Sequence, residues 1–201
     1  MYCTREKSKA PVVKLNENIL KIVHALAFVI SYADSKGVKP SQYDLVKTLF
    51  LADRYHLNQW GRLITFDNYV AMKHGPVPSL AFNLLKEDRN ALKRANLKEL
   101  PWSREDYRGQ RSKYFRYFDA HDIEFDRFLS DSDMDALKEN FIVVKSLNFG
   151  QIRKLTHEDA AYVDAWEDES SRRQFPMSLG MLFDIPNYEK ANELAEISSF
   201  A

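Results

Sequence analysis

The acidic and histidine side chains of this chain are the ones best suited to act as acids, bases or metal ligands. Asp53 is the most unusual of them. Asp53 lies in a segment whose apolar residues recur at helical spacing, and it falls on the same face as they do. A carboxylate there must reach water, accept hydrogen bonds from a loop or a cation, or act as a catalytic or metal-binding acid, because burying it without partners is costly. The spacing leaves all three interpretations open.

Asp53 and the histidines are residue types that could together form a metal site. His56 follows Asp53 by three residues on the same predicted helix, so the two side chains can share a face. With His74 or His157 they would supply ligands of the kind that hold zinc in a metal-dependent hydrolase. The chain contains no His-Glu-x-x-His pattern, however. We therefore expect neither a metal nor another cofactor, and keep the hydrolase built on Asp53, His56 and His157 as the alternative.

Motifs for other enzyme classes are missing from the sequence. There is no Gly-x-Ser-x-Gly nucleophile motif, and the six glycines are all isolated, so no glycine-rich loop can cradle a phosphate. The single cysteine, Cys3, excludes an intrachain disulfide and a cysteine-based zinc site. The sequence thus favours a protein that is not an enzyme, with no catalytic residues.

Composition and charge narrow the choice of partner. The chain has 201 residues with 29 basic and 29 acidic side chains, which gives a net charge of zero. Nucleic-acid binders usually carry a basic excess, so nucleic acid is an unfavoured partner, with the Lys/Arg-rich stretches 86–94 and 104–116 as its only local candidates. The most apolar stretch, residues 19–30, is shorter than the roughly 20 residues of a membrane span. Residues 1–9 lack the apolar run of a signal peptide, so we expect a cytoplasmic protein without membrane contact.

Capping residues divide most of the chain into helices. Asn16 or Asn18 starts a helix that continues to about Lys36, and Ser41 with Asp44 forms a capping box for a second helix that ends at Gly61. Further helices are predicted at residues 80–94 after a Ser79 cap, from Ser130 or Ser132 to Gly150, after a Thr156 cap with Asp159 in the box position, and at residues 187–199.

Short β-prone pieces interrupt the helices. Residues 63–65 and 69–72 predict either a small hairpin or an extended loop, and residues 114–118 predict a second hairpin with residues 123–125, after a loop at 101–111. Gly75 followed by Pro76 indicates a stiff corner, either a structural turn or a rigid loop that presents His74 or backbone amides to a partner. The predicted fold class is mainly α, a helical bundle-like single domain with a minor antiparallel β-hairpin component.

A series of short motifs resembles a known family. It comprises Leu45-Val46-Lys47-Thr48-Leu49-Phe50-Leu51-Ala52-Asp53-Arg54, Gly61, Ile64-Thr65, Ala71, His74-Gly75-Pro76-Val77, Leu155-Thr156-His157 and Trp166. This series resembles the Panacea domain of SocA-like antitoxins and related phage-associated proteins. The resemblance extends from about Leu15 to Trp166 and is most specific between Leu45 and Val77. It implies a flexible N-terminus at 1–14, a Panacea-like domain at 15–170 and a C-terminal helical extension at 171–201 packed on that domain.

The resemblance also implies a function. Such proteins are antitoxins of bacterial or phage toxin–antitoxin systems that neutralise a cognate protein toxin by direct complex formation, and some act instead as adaptors that deliver a toxin to a protease. Many carry an additional N-terminal DNA-binding segment, for which we expect no room here. A homo-oligomer is left open. The motif positions are expected to build the central scaffold, with Asp53 tied to a loop or to His157. These binding or motif positions are Asp53, Arg54, His74, Gly75, Pro76, Val77, His157 and Trp166.

Overall fold

A computed structural model describes residues 9–108, 113–121, 123–168 and 170–200. Cys3 and the first part of the predicted N-terminal segment 1–14 lie outside this range. The described residues form the α-helices α1 (Ile19–Ser35), α2 (Gln42–Trp60), α3 (Ser79–Leu85), α4 (Arg89–Arg94), α5 (Asp131–Ser146), α6 (Phe149–His157), α7 (Ala160–Ala165) and α8 (Tyr188–Ser198). The strands are β1 (Tyr69–Met72), β2 (Gly75–Pro78), β3 (Ser103–Arg108), β4 (Lys113–Phe118) and β5 (Gln174–Pro176). The predicted fold class, mainly α with minor antiparallel β structure, is confirmed.

The ends of the longest helices follow local capping chemistry. The Asn18 side chain accepts a hydrogen bond from the backbone N–H of Lys21 and so caps α1. Ser41 and Asp44 form both hydrogen bonds of a capping box at the start of α2. Gly61 ends α2 in a left-handed conformation, with φ of 73°, which a residue without Cβ adopts most readily. These predicted helix ends are confirmed. They could be predicted because each depends on hydrogen bonds between residues no more than four apart in sequence.

Several predicted helix boundaries are wrong. The helix expected at residues 80–94 is two helices, because Asp88 caps α4 with its own side chain after α3 has ended. The helix expected to continue to Gly150 ends at Ser146, since Asn148 starts α6 with a capping box of its own. Thr156 does not cap a helix but lies buried inside α6, where its hydroxyl donates to the Ile152 carbonyl, and Asp159 caps α7.

The first sheet has the strand order β2-β1-β5, and all of its pairs are antiparallel. Strands β1 and β2 form a tight hairpin in which Met72 pairs with Gly75 and Tyr69 with Pro78. The predicted corner at Gly75 and Pro76 is therefore wrong, because these residues belong to the edge strand β2. An edge strand tolerates proline, since the outer side of the strand has no neighbour that requires a backbone N–H donor. Residues 63–65 lie outside the strands of this sheet.

The second sheet pairs β3 with β4, which corrects two predictions. The predicted loop at residues 101–111 contains strand β3, and the hairpin partner of β4 is this strand rather than residues 123–125. Cation–π contacts between arginine and aromatic side chains stabilise this pair of strands. The Arg116 guanidinium lies 3.6 Å from the Tyr107 ring centroid, and the Arg104 guanidinium lies 4.3 Å from the Phe115 ring centroid.

The core positions α2 at the centre of the molecule. Helix α1 is buried over much of its length and packs with α2, α3 and α5 in the larger apolar cluster, while a second cluster joins α2 to α7, β5 and α8. A buried ion cluster adds a polar cross-link: the Asp133 carboxylate lies 2.8 Å from the Lys21 ammonium and 2.9 Å from the Arg62 guanidinium. No helix of the described chain is both long and apolar enough to cross a bilayer.

Candidate functional site

Asp53 is an anchor for the loop that follows α2. Its side chain is fully buried, and its Oδ1 accepts hydrogen bonds from the backbone N–H groups of Ile64, at 2.7 Å, and Thr65, at 3.0 Å. Its Oδ2 accepts from the hydroxyls of Thr65 and of Tyr69, the latter at 2.8 Å. Burial raises the pKa of Asp53 while these hydrogen bonds act in the opposite direction. Of the three interpretations that the sequence left open for Asp53, the structure shows the second: the carboxylate accepts hydrogen bonds from a loop.

The neighbouring Arg54 points to a different part of the molecule. Its Nε donates to the Asp159 carboxylate at 2.6 Å, and its Nη2 lies 3.0 Å from the Asp184 carboxylate. Asp159 also accepts hydrogen bonds from the first backbone N–H groups of α7. Arg54 thus ties α2 to α7 and to the segment before α8. Its carboxylate partners are therefore Asp159 and Asp184, and neither Arg54 nor His157 is among the hydrogen-bond donors to Asp53.

Asp67 is a buried acid that sequence reasoning missed. Its two carboxylate oxygens accept from the backbone N–H groups of Leu80, at 3.0 Å, and Ala81, at 2.8 Å. Asp67 therefore caps α3 from outside the helix, the role predicted for Ser79. Burial raises the pKa of Asp67 to about 7, against the effect of both hydrogen bonds. Its partners are at least thirteen residues away, so no local spacing could have revealed the contact.

His56 does not join Asp53 in a metal site. Its ring is buried, with Nδ1 2.9 Å from the Arg62 carbonyl oxygen and Nε2 3.1 Å from the Ser132 hydroxyl. One face of the ring stacks on Trp60 at a centroid distance of 4.6 Å. Within the ranges that the structure describes, no group of three or more His, Cys, Asp or Glu side chains is placed to hold a metal ion. The ligands of the alternative hydrolase are not brought together.

The remaining motif positions converge on a cleft of about 730 Å³, which we call the Lys47 cleft. It lies between the first turns of α2, the β1–β2 hairpin, α6 and the chain after α7. Four motif positions line it, namely His74, Val77, His157 and Trp166, and its other lining residues are Gln42, Tyr43, Val46, Lys47, Met72, Lys73, Phe82, Arg153, Asp168, Arg172 and Arg173.

Gly75 lets strand β2 approach the side chains beneath the cleft. Its φ is +99°, and a Cβ at this position would lie 2.7 Å from both the Lys47 ammonium nitrogen and the Thr156 hydroxyl oxygen. Lys47 is only 1% exposed and donates to the Pro76 carbonyl at 2.8 Å. A larger residue than glycine would separate β2 from α2 and α6, so Gly75 and Pro76 act here through their backbone.

The electrostatic environment of the cleft disfavours positive charge. Burial lowers the pKa of Lys47 to about 7. Burial also lowers the pKa of His157 to about 4, and the charges of Arg153 and Lys47 act in the same direction. The pKa of His74 is lowered by burial and then by Lys73, Arg153 and Lys47. Sequence reasoning missed Lys47, Tyr43 and Arg153 as members of this site, although Lys47 stands inside the most specific motif segment.

Comparison with known families identifies the class of protein. The family model described as "Antitoxin SocA-like, Panacea domain" matches residues 45–162, which is more than half of the chain, so the chain belongs to this family. The predicted resemblance is confirmed over this range, which holds most of the motif positions but excludes Trp166. No curated protein and no solved structure matches the chain significantly.

Proposed function

We propose that this protein is the antitoxin of a bacterial or phage toxin–antitoxin pair and that it neutralises a cognate protein toxin by forming a complex with it. The observation that carries the proposal is the match of the SocA-like antitoxin family over residues 45–162. That family implies a protein partner in general, and the particular toxin and the cytoplasm as the place of action are part of the proposal.

The motif positions support a scaffold role within this function. Asp53 holds the loop after α2, and Arg54 joins α2 to α7 through Asp159. Gly75 and Pro76 bring β2 against Lys47. We propose that these residues preserve the shape of the domain, and that contact with the toxin is made by side chains that reach the surface.

Two exposed aromatic groups are suited to such contact. Phe149 is 52% exposed and lies 4.9 Å from Tyr43 and 5.7 Å from His74, measured between ring centroids. On the opposite end of α2, Trp60 is 50% exposed and lies 5.7 Å from Tyr55. Aromatic side chains are enriched at the centres of protein interfaces, where they contribute a large share of the binding energy.

Co-expression with the neighbouring reading frame tests the proposal. If that frame encodes the toxin, its induction alone should stop growth, and co-expression of this protein should restore growth. The two purified proteins should elute together in size-exclusion chromatography with light scattering, which also reports whether this chain forms a homo-oligomer. Failure of both rescue and co-elution, or turnover of a substrate by the purified protein, would contradict the antitoxin assignment.

The same strain separates neutralisation by binding from delivery to a protease. Under neutralisation by binding, the amount of toxin in the cell stays constant or rises when this protein is expressed, because the complex accumulates. An adaptor would shorten the half-life of the toxin, and deletion of the responsible protease would restore toxicity. We expect the first result, measured by immunoblot after translation is stopped.

A further inference from the structure

The Lys47 cleft has the dimensions of a site for a small molecule. Its volume of about 730 Å³ falls within the range of roughly 300–1,000 Å³ that such sites occupy. Apolar side chains form one part of its wall, including Val46, Val77, Phe82 and Trp166. A second hollow of about 770 Å³ shares Val77, Phe82 and two arginines with it and extends towards Lys86.

The charges that line the cleft are strongly unbalanced. Five cationic side chains face one carboxylate, Asp168, which already accepts a hydrogen bond from the Trp166 indole at 2.7 Å. None of the five cations forms an ion pair with any part of the chain that the structure describes. Like charges at close range raise each other's energy, and a bound anion would remove this cost. The five cations are Lys47, Lys73, Arg153, Arg172 and Arg173.

Buried polar atoms without partners are concentrated in the same place. Among the described residues, four buried side-chain polar atoms have no hydrogen-bond partner, and three of them belong to residues that line the cleft. These three are the Gln42 amide nitrogen, the Tyr43 hydroxyl and the His157 Nε2. Lys47, which is 1% exposed, has three N–H groups and a single acceptor, the Pro76 carbonyl. Unpaired buried polar atoms of this kind are costly unless a ligand or a water molecule supplies a hydrogen-bond partner.

We propose that the Lys47 cleft binds a small phosphate-bearing molecule, with the phosphate held by Lys47, Arg153 and His157. The rest of the ligand lies against the apolar wall formed by Val77, Phe82 and Trp166. A phosphate monoester or anhydride carries more than one negative charge and several acceptor oxygens, which matches several cations and unpaired polar atoms better than a single carboxylate does. The proposal does not depend on the antitoxin role, because it concerns only the chemistry of the cleft.

Calorimetric titration of the full chain with defined probes tests this proposal. The probes are pyrophosphate, AMP and ATP, with adenosine as the phosphate-free control and a glutamate-rich peptide as the acidic-segment control. We expect at least one phosphate probe to bind with a Kd below about 1 mM, and adenosine and the peptide to bind far more weakly. Absence of binding by all three phosphate probes, or binding by the peptide alone, would overturn the proposal.

Adjacent residues of α6 provide a matched pair of variants. Arg153 lines the cleft, whereas Lys154 is exposed and lies 3.8 Å from the Glu158 carboxylate. Arg153→Gln should weaken phosphate binding about tenfold to hundredfold, because it removes a charge-assisted hydrogen bond. Lys154→Gln removes the same charge without touching the cleft and should leave the affinity unchanged. Equal losses in both variants would show nonspecific attraction to surface charge and would refute a specific site.

The imidazole of His157 supplies a second readout. Its pKa is lowered to about 4 by burial and by neighbouring cations. A phosphate beside Nε2 favours the charged imidazolium, so the pKa followed by NMR should rise when the protein is saturated with pyrophosphate. The His24 ring lies outside the cleft and serves as the internal reference, since its resonances should not respond to pyrophosphate. An unchanged His157 pKa at saturation would contradict the placement of the phosphate.

Discussion

Replacing Asp53 provides the sharpest test of how this domain is held together. In Asp53→Ala the backbone N–H groups of Ile64 and Thr65 lose their acceptor inside the core. The Tyr69 hydroxyl keeps a weaker alternative, the Leu49 carbonyl at 3.3 Å. Each of these two buried donors left without a partner costs about 1–3 kcal/mol, so we expect a loss of about 2–6 kcal/mol in the free energy of unfolding. This is a large part of the roughly 5–15 kcal/mol that stabilises a domain.

The Asp53→Asn variant separates hydrogen bonding from charge. The amide oxygen of asparagine can still accept from the backbone N–H groups of Ile64 and Thr65. The hydroxyls of Thr65 and Tyr69 can rotate to accept from the new amide nitrogen, because a hydroxyl is both donor and acceptor. We therefore expect a loss of only about 1–2 kcal/mol, with toxin neutralisation retained.

Urea denaturation followed by circular dichroism and tryptophan fluorescence measures both effects. Asp135, which is exposed on α5, provides the control, since Asp135→Ala should change the free energy of unfolding by no more than about 0.5 kcal/mol. If Asp53→Ala stays within about 1 kcal/mol of the natural protein and still neutralises the toxin, the anchoring role is wrong. If the asparagine variant is as unstable as the alanine variant, the negative charge rather than the hydrogen-bond geometry is what the loop requires.

The remaining predictions concern Lys47, Gly75 and the link between Arg54 and Asp159. Lys47 has a pKa of about 7 in the folded protein against 10.5 as an ordinary value, so unfolding takes up a proton between these pH values and its burial is most costly below about pH 7. This difference in pKa corresponds to about 5 kcal/mol, but methionine cannot make the hydrogen bond to the Pro76 carbonyl. Lys47→Met should therefore stabilise the protein by about 3–4 kcal/mol near pH 6 and progressively less towards pH 10, as urea titrations across this range would show. Gly75→Ala should cost about 2–4 kcal/mol through both its φ of +99° and the clash of the new Cβ, whereas Gly37→Ala, with open space around it, should cost about 1 kcal/mol in the same assay. In thermal unfolding, Asp159→Ala should lower the melting temperature more than Arg54→Ala, because Asp159 also caps α7, whereas the second ion pair of Arg54 is with the exposed Asp184 and contributes little. A smaller shift for Asp159→Ala than for Arg54→Ala would contradict this ranking.

Some residues of the candidate site could be predicted from the sequence, and others could not. His74, Val77, His157 and Trp166 were selected because they matched a family pattern, and the structure places them around one cleft. Lys47 stood in the same pattern but carried no signal of its own, because a lysine on a predicted helix is ordinarily exposed. Its burial depends on the Pro76 carbonyl, 29 residues further along the chain.

By itself, the sequence determined the helical class of the fold and the ends of its main helices. Asn18, Ser41 with Asp44, and Gly61 act on backbone groups within four residues, so their effect is present in any context that permits a helix. Only the tertiary structure decided which strands pair, which remote acid caps α3 and which charges become buried. The partners in these cases are distant in sequence. Pairing of β1 with β2 brings Asp67 to the Leu80 N–H, and packing of β2 on α2 brings the Pro76 carbonyl to Lys47.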